Sequence, residues 1–170
     1  AADTKALFER YRKRKEKESR ARWMQVLFMR IPLIDPDQFL VNTLPIVRRF
    51  ISYIGLAVWI CFVGYALKLV MDQFSLILDE SQAVLSPANL PLLYLSIIIT
   101  KVLHEFGHAY ACRRYHCEVP QMGIMFLVFN PLPFVDVSAS YGLSQKYKRV
   151  VVGIAGVVVE FFIASVALII

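Results

Sequence analysis

LPLLYLSIIITKVLHEFGHAYA, residues 90–111, is the stretch whose reading decides the fold. Its first half is apolar, and at about 1.5 Å per residue the whole run covers the roughly 30 Å of a bilayer's hydrocarbon layer. Its second half carries Lys101, His104, Glu105 and His108. Each ionisable group in such a span costs on the order of 2 to 3 kcal/mol or more unless it faces a cavity, a partner or a metal. A purely structural account has to satisfy all of them separately, and the spacing offers a simpler one.

The pattern is HEFGH, residues 104–108. Residues four apart share a helix face, so His104 and His108 can address one ion. Two imidazoles suit zinc, whose catalytic sites use three protein ligands and keep one position for water. Glu105, beside the first histidine, is placed to act as general base on that water. The HExxH pattern is a fairly specific sign of a zinc metalloprotease. Haem is disfavoured, because two histidines on one face cannot reach opposite sides of one iron. His104 precedes Arg113 by nine residues, which puts the ion about 13 Å below the basic end of the span, so water must enter from there.

Outward from this helix, the chain reads as an α-helical multi-pass membrane protein with about three transmembrane helices and a short re-entrant β-strand or hairpin. Residues 1–30 form a basic arm expected to be helical and cytoplasmic, and residues 31–49 an amphipathic interfacial segment. Asp35 before Pro36 suits a helix start, with Gln38 at the capping-box position, and Phe39, Leu40, Leu44 and Val47 line the sticky face. Residues 50–71 are the first span. Residues 72–89 read as an external acidic loop, since Asp72, Asp79 and Glu80 stand there without Lys or Arg. Residues 90–111 are the second span, 112–149 a cytoplasmic turn and re-entrant segment, and 150–170 an incomplete third span. In the re-entrant segment MGIMFLVF, residues 122–129, is too short to cross and is bounded by Gly123 and by NPLP. The Lys and Arg clusters before the first span and at Arg113 and Arg114 place the N-terminus in the cytoplasm of a cell (inner) membrane.

Composition agrees with two regimes. Ten of the 19 Lys and Arg residues lie in the first thirty positions, whereas 58% of the whole chain is hydrophobic. The basic arm suggests nucleic acid, but Glu9, Glu16 and Glu18 interrupt it and no nucleic-acid fold surrounds it, so the expected partner is the anionic face of a lipid bilayer. No apolar run follows the basic residues before Trp23, so no secretory signal peptide is expected here. Cys61, Cys112 and Cys117 have no framework spacing and read as reduced thiols.

From His104 to Glu160 the residues HEFGHAYACRRYHCEVPQMGIMFLVFNPLPFVDVSASYGLSQKYKRVVVGIAGVVVE resemble the core of the site-2 protease family of intramembrane zinc metalloproteases. The resemblance extends more weakly from about Ile31 to the end. It is narrower toward a bacterial branch found with membrane-fusion (adaptor) proteins of secretion and efflux systems. It implies His104 and His108 as zinc ligands, Glu105 as catalytic acid and base, and Gly156 and Glu160 on a helix beside the site. The family's third ligand is usually an Asp in an Asn-Pro…Asp-Gly motif on a later helix. No Asp-Gly occurs here, so that ligand is expected beyond residue 170, in a larger helical bundle of which this chain is part. Asp136, in NPLPFVD, is the weaker candidate, since it precedes the third span and carboxylates there often support a site rather than ligate.

Four further readings stay open at this level. Lys101 stands four residues before Glu105 and is expected to pair with it. CRRYHC, residues 112–117, lacks a recognised metal spacing. Glu160, deep in an apolar run, is expected either to buttress the site or to bind the re-entrant strand. That strand either accepts an extended substrate by strand addition or shields the cavity. The functional expectation is hydrolysis of membrane-embedded or membrane-adjacent peptide substrates. The alternative is a weakly active or inactive protease-like subunit of a secretion or efflux assembly.

Overall fold

The computed structural model describes residues 28–127 and 130–170. The expected helical arm of residues 1–30 lies outside them as far as position 27, and from Phe28 the chain is strand. β1, Phe28–Ile34, carries Ile31 and Ile34, which favour extended backbone. It pairs antiparallel with β2, Met122–Leu127, and β2 pairs antiparallel with β3, Asn130–Val135. The order β1-β2-β3 puts β2 in the centre, with Ile31 opposite Ile124 and Gly123 opposite Phe134. Pro32, Pro131 and Pro133 all sit on the two outer strands, where a missing N–H is tolerated. NPLP is therefore a strand rather than the boundary of one. Both edges of β2 are occupied, so adding a substrate strand to β2 would require displacing β1 or β3.

α1, Asp37–Phe50, begins where Asp35 accepts the Asp37 N–H at 3.0 Å. The helix starts after Pro36, and Gln38 bonds forward to Asn42 instead of closing a capping box. Leu40 is fully buried, and the ring of Phe39 meets Phe106 edge-on at 6.2 Å. α2, Tyr53–Asp72, starts after a break at Ile51 and Ser52, and the Ser52 hydroxyl caps the Gly55 N–H at 3.1 Å. The segment read as an acidic loop contains a helix, α3, Phe74–Val84, because FSLILDESQAV holds good helix formers and neither Gly nor Pro. A short 3-10 turn, Pro87–Asn89, leads into α4, Leu90–Arg114. After the sheet, a second 3-10 turn, Ser138–Gly142, precedes α5, Lys146–Ile169.

α2, α5 and α4 with its leading turn are long and apolar enough to cross a membrane. The chain is mainly helical with a small three-stranded sheet. The buried core does not lie midway along the helices. It gathers Leu40, Ala109, Ala111, Cys112, Cys117, Val119 and Val152 at the basic end of α4, with Phe106, Tyr110 and Val135 against it. Along the spans, side chains such as Leu92, Ile99 and Ile154 stay about half exposed or more. Apolar surface on that scale matches a lipid solvent far better than water. Asp37 fastens the core: its carboxylate meets Arg113 at 3.1 Å and accepts the Val119 N–H at 3.1 Å. The Thr43 hydroxyl meets the Tyr110 hydroxyl at 2.8 Å, a second tie from α1 to α4.

Candidate metal centre

α4 and α5 pack side by side, and small residues set their separation. A methyl group on Gly107 would lie 2.9 Å from the Ala155 carbonyl oxygen and from Val159 Cγ2, so an alanine there would force the helices apart. On the opposite wall, a methyl on Gly156 would fall 2.5 Å from His104 Nε2. The His104 ring occupies the space that Gly156 vacates.

The i to i+4 spacing brings His104 Nε2 and His108 Nε2 to 2.9 Å. What the other ring nitrogens touch decides where the protons sit. His108 Nδ1 is 2.6 Å from the Val152 carbonyl oxygen, which only accepts, so Nδ1 carries the hydrogen. His104 Nδ1 is buried and 3.0 Å from Glu160 Oε1. That contact is close enough for attraction but off the line of a hydrogen bond, and a carboxylate still favours N–H over a lone pair. With the His108 proton on Nδ1, the His108 Nε2 lone pair faces His104 Nε2, which can either donate a hydrogen to it or share a metal ion with it.

Two nitrogens at about 2.0–2.1 Å from a tetrahedral zinc stand roughly 3.4 Å apart, so the pair has to open by only about half an ångström. The donor type, and the His108 tautomer fixed by its bond to the Val152 carbonyl, fit a cation shared by His104 and His108. Among the described residues, no group of three or more His, Cys, Asp or Glu side chains is gathered to hold a metal. Asp136 follows β3, and its carboxylate accepts the Ser138 N–H at 2.9 Å. The Ser138 hydroxyl and amide hold that carboxyl below the usual carboxylate range. Cys112 and Cys117 are free thiols buried in the core.

Lys101 does not pair with Glu105. Its ammonium lies 2.7 Å from Glu160, because α5 brings a carboxylate into the same layer and the local i to i+4 partner is engaged elsewhere. Glu160 therefore touches both Lys101 and His104, and among the described residues it binds no strand backbone. The carboxylate that binds the sheet is Glu105, whose Oε2 accepts the Val135 N–H at 3.1 Å.

That bond also defines the edge of β3. Pro131 and Pro133 have no N–H, and Val135, of the same parity, directs its own at Glu105. Consistently, Asp136, of the other parity, bonds across to the Gln121 carbonyl at 2.8 Å. The edge facing α4 thus presents acceptors and no free donor, which makes it a poor template for an added strand. Beside it, Glu105 and His108 share a cavity of about 160 Å³ with Ser140, Tyr141, Arg149 and Gly153. That volume admits several waters, and Arg149 of α5 is among its lining residues. Nothing in the sequence marks the Val152 carbonyl or the Val135 N–H as partners of the motif, because both are backbone groups chosen by packing. No protein-family model matches this chain, and neither a curated protein nor a solved structure matches it.

Proposed function

We propose that the chain is the catalytic part of an intramembrane zinc metalloprotease resembling the site-2 protease family. The observation that carries this reading is the convergence of the His104 and His108 Nε2 atoms at 2.9 Å, with the His108 proton directed at the Val152 carbonyl, on a helix long enough to span a bilayer. His104 and His108 would hold the zinc, with a third protein ligand from an Asp of a later helix in the wider bundle. Zinc bound there would acidify a water and polarise the scissile carbonyl.

The chain's own residues do the rest. The Val135 N–H fixes one Glu105 oxygen and leaves the other to take a proton and pass it to the leaving amine. Glu160 puts a carboxylate 3.0 Å from the His104 ring, and Lys101 compensates the charge of Glu160. α4 and α5 limit access of bulk water, while the small cavity beside Glu105 and His108 has room for the reacting water. In this reading the sheet shields the site. The basic ends of α1, α4 and α5 lie in the cytoplasm and the acidic residues of α3 outside, in the inner membrane of a cell. The substrate is a membrane-embedded or membrane-adjacent protein or peptide, and a membrane-fusion (adaptor) protein is the proposed assembly partner.

The test is a Glu105→Gln substitution in the membrane-embedded protein, scored by cleavage of co-expressed single-span membrane proteins. Cleavage should fall by at least about 100-fold, the usual contribution of a general base. Unchanged processing, with export or efflux also unaffected, leaves the alternative of a protease-like subunit whose catalysis is not its function.

A further inference from the structure

At the break between α1 and α2 lies a second cavity, of about 500 Å³, far larger than the one beside Glu105. Arg48, Arg114 and Ser52 supply its polar lining, and the larger apolar lining includes Leu56, Trp59 and Val158 from the spans. Trp59 is fixed as a wall, because its Nε1 donates to the Val158 carbonyl at 3.1 Å and ties α2 to α5. Arg114 is fixed as well, donating to the Ile51 carbonyl at 2.6 Å exactly where the chain breaks between helices. Arg48 makes no ion pair among the described residues, and Arg114 meets no carboxylate there either. The positive N-terminal end of α2 opens on the same space.

A cavity walled by membrane-spanning side chains does not stay empty in a bilayer, since voids forfeit contacts on every side. Water suits the polar lining and not the apolar lining. We propose that this cavity is a binding site for one anionic phospholipid, its phosphate held between Arg48 and Arg114 and an acyl chain lying along Leu56, Trp59 and Val158. The charge complementarity selects an anionic headgroup, and the apolar lining requires the chain to come with it. The site is separate from the metal centre and does not depend on proteolysis. By bridging α1, α2, α4 and α5 at their basic ends, the lipid would fasten the helix that carries HEFGH to its neighbours.

The experiment uses the detergent-solubilised protein in native mass spectrometry, titrated with phosphatidylglycerol, with phosphatidylcholine of the same chains, and with inorganic phosphate. One phosphatidylglycerol should bind at least about ten-fold more tightly than phosphatidylcholine, with no retained phosphate. Arg48→Gln, which removes no internal bond, should loosen phosphatidylglycerol about five-fold, as expected for one arginine near an anionic headgroup. Leu56→Trp, which crowds the apolar lining, should loosen both lipids. Equal affinity for the two lipids, or no effect of Arg48→Gln in a protein of unchanged helix content, overturns the proposal. Tight phosphate binding without lipid selectivity overturns it too, leaving a simple anion site.

Discussion

Substituting Gly156 with Ala tests how the two histidines are held. The new methyl would lie 2.5 Å from His104 Nε2 and Cδ2 and 2.6 Å from Cε1. Ordinary carbon contacts begin near 3.4 Å, so the ring has to retreat by close to 1 Å or α5 has to move away. Neither movement is free. The ring lies against Glu160, 3.0 Å from Nδ1, and α5 packs closely on α4 at Gly107. Overpacking of this kind costs about 1–3 kcal/mol of stability. Its effect on the metal is sharper, because a shift of about 1 Å in one ligand breaks a geometry that tolerates about 0.2 Å. Zinc affinity, measured by competition with a chromogenic chelator, should fall at least about 10- to 100-fold, the range seen when a ligand's supporting contacts are lost. Gly153→Ala is the control on the same helix, since a methyl there meets nothing within 4 Å. It should leave zinc affinity unchanged. If Gly156→Ala binds zinc as tightly as the unsubstituted protein while remaining folded, the ring is not seated against that glycine and the site's geometry is wrong.

Other outcomes follow from single contacts. Val135→Pro continues the alternation of Pro131 and Pro133 on an outer edge, so the sheet should persist while Glu105 loses its 3.1 Å donor; turnover should fall by about 10-fold or more with zinc retained, as for a lost hydrogen bond to a charged group. Trp59→Phe deletes the bond to the Val158 carbonyl and should cost about 1 kcal/mol, read from the denaturation midpoint. Asp37→Ala removes both the Arg113 pair and the acceptor for the Val119 N–H, a loss of about 1–3 kcal/mol, whereas Asp37→Asn can keep the acceptor and should lose less. The depressed carboxyl of Asp136 stabilises the fold above its unfolded value, near 3.9, and that contribution disappears as pH falls through the lower folded value. Thermal scans of Asp136→Asn should therefore differ from the parent at neutral pH and converge with it in acid.

The spans and the HEFGH spacing were legible because both are local. Unbroken apolar runs announce helices in lipid, and an i to i+4 pair needs no tertiary information. Glu160 stood out by the cost of a carboxylate among Val and Phe, although its partners did not. Lys101 had a local carboxylate at Glu105 and a distant one at Glu160, and sequence favours the local one; packing of α5 on α4 reverses that choice. β1 was hidden for a similar reason. Residues 28–34 find their pairing partner at 122–127, and only the hairpin's exposed edge makes a strand of a stretch that adjoins a basic arm. Asp35 drew attention as a cap beside Pro36, while Asp37, which fastens α1 to α4, has no signature beyond its charge. The donor-free edge of β3 lay in plain view in the alternation of Pro131 and Pro133, but its meaning required knowing that Val135 faces Glu105.

Metal analysis of the purified, membrane-embedded protein tests the central claim most directly. About one zinc per chain is expected, lost in His104→Ala and in His108→Ala and retained in Glu105→Gln, because in the proposed site two imidazoles would hold the ion and the carboxylate would serve only the water. A protein that carries no zinc and takes up none, or one whose zinc is indifferent to both histidines, contradicts the account.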